Sequence, residues 1–228
     1  MTHAAAAHSA HDDTHGGHPP TSTGLDNKKI AIWAFIGSEC MLFASLISTY
    51  LIYKGRSKVG PFPHEAWADP MTGQHFKAIL NIPVTSASTF VLLMSSLAMV
   101  LALAAVQNKN VPKRTTGERI LGSSQLWLLM TAALGITFLG FQAYEFTSFV
   151  HEGLTIRTNL FGSSFFTLTG FHGAHVTAGV IWLLTLFAID RKRGLGPRDE
   201  VNVDIAALYW HFVDVVWIAI FTLVYLIK

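Results

Sequence analysis

The chain is poor in charge and almost without cysteine. Only 13% of its 228 residues are Asp, Glu, Lys or Arg, about half the share usual for a soluble domain. A single cysteine, Cys40, excludes an internal disulfide and any cysteine-based metal set or iron–sulfur cluster. The formal net charge of +2 is too small to suggest nucleic-acid binding, and none is expected. Short Gly- and Pro-rich stretches lie in the N-terminal segment and in the gaps between long apolar blocks. What fills the chain is hydrophobic side chains, 51% of the total, and they are gathered rather than spread. That pattern belongs to a chain solvated by lipid.

Residues 1–27 form a zone of their own, rich in Ala, His, Gly, Pro, Ser and Thr. The zone lacks the short apolar run of a secretory signal, so no cleavage is expected. It carries His3, His8, His11, His15 and His18. A weak metal-binding tail and a solvated, disordered extension both fit this composition, and the second is preferred because so few apolar groups cannot bury a core.

From residue 28 to 228 the sequence predicts an all-α polytopic membrane protein, a bundle of five transmembrane helices. A spanning helix needs about 20 mostly apolar residues. Segments 29–53, 80–106, 120–149, 160–189 and 204–227 meet this requirement. Gly and Pro break the intervening stretches, as at Gly60-Pro61, Pro63 and Pro70, at Pro112 and Gly117, and at Gly194, Gly196 and Pro197. The blocks are too long and too continuous for the alternating strands of a membrane barrel. They show no internal repeat of the kind found in inverted-repeat transporters.

Lys and Arg set the orientation. With the N-terminus inside, the inner segments hold ten: Lys28, Lys29, Lys109, Lys113, Arg114, Arg119, Arg191, Lys192, Arg193 and Arg198. The outer segments hold six: Lys54, Arg56, Lys58, Lys77, Arg157 and Lys228. The positive-inside rule therefore predicts a cytoplasmic N-terminus and an external C-terminus. Arg191, Lys192 and Arg193 follow the fourth span on its inner side, where a basic cluster can also hold anionic lipid headgroups.

Ionisable groups inside a lipid span are costly without partners, so each is a functional candidate. Glu39 lies ten residues into the first span, about 15 Å deep at 1.5 Å per residue. Proton handling, lipid contact and an interhelical hydrogen bond that locks packing are all open to it. In the fourth span His172 and His175 are three residues apart on one face, with Gly170, Gly173 and Gly179 beside them to admit a close neighbour. In the fifth span His211 and Asp214 have the same spacing. Antiparallel fourth and fifth helices would set His175 and Asp214 at similar depth, which predicts a polar cluster with His–carboxylate pairing. These residue types could also ligate a transition metal or a heme, but with only three histidines in the spans a structural polar cluster is preferred. Glu145, at the outer end of the third span, is expected to serve packing or subunit contact.

Five motifs in order carry a family resemblance. They are Gly37-Ser38-Glu39, Phe141-Gln142-Ala143-Tyr144-Glu145, Phe161-Gly162-Ser163-Ser164-Phe165-Phe166, Gly170-Phe171-His172-Gly173-Ala174-His175-Val176 and Tyr209-Trp210-His211-Phe212-Val213-Asp214-Val215-Val216-Trp217. Together they resemble subunit III of the heme–copper oxidases, cytochrome c oxidase among them, in a five-helix form that lacks the two N-terminal helices of the seven-helix form. The resemblance implies an accessory subunit of a proton-pumping terminal oxidase in aerobic respiration, in a bacterial plasma membrane. It implies heme and copper in partner subunits I and II, with subunit I the main contact, and no cofactor or catalytic centre in this chain. Glu39 matches the family's carbodiimide-reactive intramembrane glutamate. Bound phospholipid, support of proton uptake by subunit I and protection of the enzyme during turnover are implied as well. Tyr209, Trp210 and Trp217 would serve interface or packing. Without the first two helices the family's lipid-holding cleft is incomplete in this chain; some relatives carry those helices on subunit I. A quinol oxidase or nitric oxide reductase-type complex, or an independent small transporter, are the alternatives.

Overall fold

A computed structural model describes residues 26–57, 60–68, 73, 75, 76, 78–108, 122–196 and 199–227. Most of the His-rich tail lies outside these residues, as do Lys58, Lys77, Lys109, Lys113, Arg114, Arg119, Arg198 and Lys228 of the orientation count, and Pro70, Pro112, Gly117 and Pro197 of the breaks. The helices are α1 (Asn27–Tyr53), α2 (Ile82–Gln107), α3 (Ser124–His151), α4 (Leu160–Arg193) and α5 (Glu200–Phe221), the last continued by a π-helical turn, Thr222–Leu226. All five are long and apolar enough to cross a membrane. The all-α expectation holds for the spans. The first loop adds only a two-residue antiparallel pairing, β1 (Trp67–Ala68) with β2 (His75–Phe76).

Local chemistry sets the helix ends. Asp26, Asn81, Ser123 and Asn159 each cap a helix N-terminus by accepting a backbone N–H two or three residues on, which satisfies donors the helix leaves free. Pro83 sits in the first turn of α2, where no N–H is needed. The first span starts two residues earlier than expected and the third at Ser124 rather than Ile120, and two spans extend by four residues at one end. The fourth runs on from Ile189 to Arg193, because basic side chains suit the negative end of the helix dipole, and it stops at Gly194 with φ of 73°. The fifth begins at Glu200 rather than Asp204, because polar residues can extend a helix beyond the lipid. At 34 residues α4 is about 50 Å long, more than the ~30 Å hydrocarbon core, so it protrudes.

Helices α2, α3, α4 and α5 close a four-helix ring in which each packs on the next and α5 returns to α2. Helix α1 stands outside the ring, against α4 and α5. Of its 27 residues only Ile32, Phe43 and Tyr50 are buried. In lipid there is little hydrophobic drive between helices, so small side chains and interhelical hydrogen bonds hold the ring. Helix α2 presents Thr85, Ser88, Thr89, Ser95, Ala98 and Ala102 inward. Trp210 donates to Ser95 Oγ at 3.0 Å and Trp217 to Thr89 Oγ1 at 2.9 Å. These two indoles pin α5 to α2. The six-membered ring of Trp210 lies against Gly135 of α3 and Gly179 of α4, where an added Cβ would come within 2.7 Å and 2.8 Å of it.

Candidate functional site

The peripheral position of α1 decides what Glu39 meets. Its carboxyl faces α4, and Oε2 lies 3.0 Å from His175 Nε2. Both side chains are 16% exposed, so the pair sits at the margin of the bundle rather than in its core. His175 also places Nδ1 2.8 Å from the backbone carbonyl of Phe171, one turn earlier. Tyr209 of α5 donates to the backbone carbonyl of His175 at 2.9 Å. The edge of Phe43 packs on the imidazole, with ring centroids 5.1 Å apart. Three helices thus meet at one buried-margin contact, and its polar centre is a carboxyl–imidazole pair.

The expected partner of His175 was Asp214, and here the structure differs. The His–carboxylate pair forms between α1 and α4, not between α4 and α5. Asp214 is buried, and neither of its oxygens meets a hydrogen-bond partner among the described residues. Ser96 of α2 stands beside it, but the Ser96 hydroxyl is engaged 2.6 Å from His211 Nδ1. His211 therefore faces α2. His172 is fully buried and makes no hydrogen bond. It stacks on Trp217 at 4.8 Å and meets the edge of Phe138 at 5.8 Å. The four ionisable residues thus divide between three environments instead of forming one cluster. Among the described residues, no three of His, Cys, Asp or Glu come together in a group that could hold a metal ion. Of the glycines beside the histidines, Gly173 fits closely against Gln142 of α3 and Gly179 against Trp210, whereas Gly170 has open space.

Glu145 is buried between three helical segments. Its Oε1 accepts from Thr85 of α2 at 2.8 Å and its Oε2 from Tyr225 of the π-helical turn at 3.0 Å. A cleft of about 560 Å³ beside it is lined by Asn81, Tyr144, Ser148 and Glu152 among others. At the opposite end, Arg191 and Lys192 are exposed, but Arg193 is spent on Asp199, 2.7 Å from Nη2 to Oδ1. Further contacts tie the ends of α1 to α5 and its extension: Lys28 to Asn202 at 3.1 Å, Lys29 to Asp204 at 2.7 Å, and Lys54, which follows α1, to the carbonyl of Ile227 at 2.6 Å. Ser95, Ser96, Thr85 and Thr89 were not singled out from sequence. Their recurrence at helical spacing along α2 is the signal that could have found them.

The chain is matched by the family model described as cytochrome c oxidase subunit III, over residues 8–228. It is 41% identical over 200 residues to cytochrome c oxidase subunit 3 of Bacillus sp. (strain PS3), covering 88% of this chain and 86% of that one. The identity is also 41%, over 201 residues, to cytochrome c oxidase subunit 3 of Bacillus subtilis (strain 168), with 88% and 86% covered. With quinol oxidase subunit 3 of the same strain it is 35% over 197 residues, 86% and 85% covered. These relatives are bacterial, and the five apolar helices make the chain an integral membrane protein. Its five apolar helices, their ordered motifs and a family match that spans nearly the whole chain lead to one conclusion: this protein belongs to the subunit III family of the heme–copper oxidases.

Proposed function

We propose that within its oxidase this chain is a non-redox subunit that supports proton uptake and durability of the complex, with Glu39 as its proton-handling group. The observation that carries this reading is the Glu39 carboxyl, deep in a spanning helix and bonded to an imidazole of a second helix. A carboxyl at that depth is kept where it serves a purpose that an apolar residue cannot. The oxygen chemistry, the hemes and the copper are assigned to subunits I and II, with subunit I as the main neighbour. This division accounts for relatives that bear both cytochrome c oxidase and quinol oxidase names, since a subunit that does not touch the electron donor can serve either complex. An independent transporter is not favoured by membership in this family.

The same proposal includes an N-terminus in the cytoplasm, a C-terminus outside and phospholipid on the inner face; of the tail expected over 1–27, Asp26 and Asn27 belong to the start of α1 and the rest lies outside the described residues. For lipid headgroups the exposed pair Arg191 and Lys192 is the better assignment, because Arg193 already serves Asp199.

The test is turnover against time in the intact complex, with subunit content checked on gels. Glu39→Gln keeps the size and most hydrogen bonding of the side chain but cannot titrate. It is expected to assemble normally and to slow proton uptake or shorten the active lifetime. Normal assembly, pumping and lifetime would remove the protonic role. Glu39→Ala adds a cavity and is expected to loosen α1 as well.

A further inference from the structure

The contact between Glu39 and His175 places a hydrogen as well as two side chains. His175 Nδ1 lies 2.8 Å from the backbone carbonyl of Phe171. A carbonyl oxygen only accepts, so Nδ1 carries a hydrogen. In the neutral ring Nε2 is then a bare acceptor. An ionised carboxylate facing that bare nitrogen at 3.0 Å would set lone pair against lone pair. One proton therefore lies between Nε2 and Oε2. It belongs either to a carboxylic acid that donates to a neutral imidazole or to an imidazolium that donates to a carboxylate. Both forms leave the pair with no net charge, which is the state a spanning segment tolerates best.

The surroundings hold this arrangement. Tyr209 ties down the backbone of His175 at 2.9 Å. Phe43 covers one side of the ring. The titratable groups that face the pair are Tyr209 from α5, near Glu39, and His172 from α4, near His175. Cys40 follows Glu39 on α1 and is exposed. The cations of Lys29 and Arg193 are paired elsewhere, with Asp204 and Asp199.

We propose that His175 is the proton partner of Glu39, a positioning residue whose ring, oriented by the Phe171 carbonyl, shares one proton with the carboxyl. The proposal rests on the reading of Glu39 as a proton-handling group and names the residue through which that group is poised.

The test is infrared spectroscopy of the purified intact oxidase as a function of pH, with the Glu39 signal identified by its loss in Glu39→Gln. Two substitutions separate the bonds of His175. His175→Asn retains a donor for the Phe171 carbonyl and withdraws from Glu39. His175→Gln can still reach Glu39 but cannot take up a proton. If the proton is shared, the pH profile of the Glu39 signal changes in both variants. A profile in His175→Gln that matches the wild type would overturn the proposal and leave His175 a packing partner. Should neither variant assemble, nitrogen-15 labelling of histidine in the wild-type complex decides the matter. A ring protonated on Nδ1, whose signal shifts in Glu39→Gln, is expected; a neutral ring with bare Nδ1 would contradict it. None of these spectra depends on turnover. A failed partnership is therefore distinct from a failed role for Glu39, which the lifetime of Glu39→Gln tests.

Discussion

Trp210 shows how single residues hold this protein together. Its indole N–H is satisfied by Ser95, and its ring fills the space left by Gly135 and Gly179. Interhelical hydrogen bonds in lipid contribute on average only about 0.6 kcal/mol each. Close packing around the ring must therefore carry a comparable or larger share. Gly135→Ala and Gly179→Ala are each expected to destabilise by about 1–3 kcal/mol, the usual cost of overpacking, because the indole is enclosed and cannot move aside. Gly140→Ala is the control, since nothing lies within 4 Å of its added Cβ and alanine favours a helix over glycine. Retention of the subunit on heating the purified complex measures all three. Equal behaviour of Gly135→Ala and Gly140→Ala would contradict this account. Trp210 and Trp217 were legible in the sequence as candidates for interface or packing. Their partners were not, because a residue's spacing along one helix does not say which helix it faces.

Among the elements, α1 is the exception. It packs on two neighbours, and most of its surface is apolar and uncovered. Polar contacts spread along its length hold it: Lys28–Asn202, Lys29–Asp204, Glu39–His175 and, just past its end, Lys54 on the carbonyl of Ile227. They differ in exposure, and exposure ranks them. The side chains of Lys29 and Asp204 are 41% and 26% exposed, so solvent screens their attraction. A double-mutant cycle on that pair is expected to give little or no coupling. The cycle on Glu39 and His175, both 16% exposed, is expected to give more. Reversible denaturation in mixed detergents reads both, and equal couplings would contradict the ranking. The helices themselves were readable, since each is a long apolar run between breakers. Their ends shifted by up to four residues where charge was taken for a boundary. Glu200 lies inside α5, and Arg191, Lys192 and Arg193 lie inside α4. The placement of α1 was not readable. Glu39 reaches His175 because α1 leans on α4, and apolarity on every side of α1 leaves no stripe to point the way. The same gap in the sequence signal led to Asp214 as the expected partner.

For the whole molecule, the proposed orientation rests on the distribution of its basic residues. An N-terminus inside places Lys192 in the cytoplasm and Arg157 outside. With Cys40 replaced by Ala, Arg157→Cys is expected to react with a membrane-impermeant maleimide in intact cells, and Lys192→Cys only after permeabilisation. The opposite pattern would invert the topology. Family membership was legible from five motifs in order, and what they share physically is now visible. Glu39, Glu145, His172, His175, Trp210 and Trp217 are all contacts between helices. The motifs therefore record how the bundle is assembled as much as what it does.

The central claim is that this chain is the non-redox member of its oxidase. The most direct measurement is the heme and copper content of the complex purified through a tag on this chain, compared with that of the chain after its gentle release from the complex and removal of residues 1–25. The expected result is stoichiometric heme and copper in the complex and none on the released chain. Stoichiometric metal or heme retained by the released chain would contradict the account.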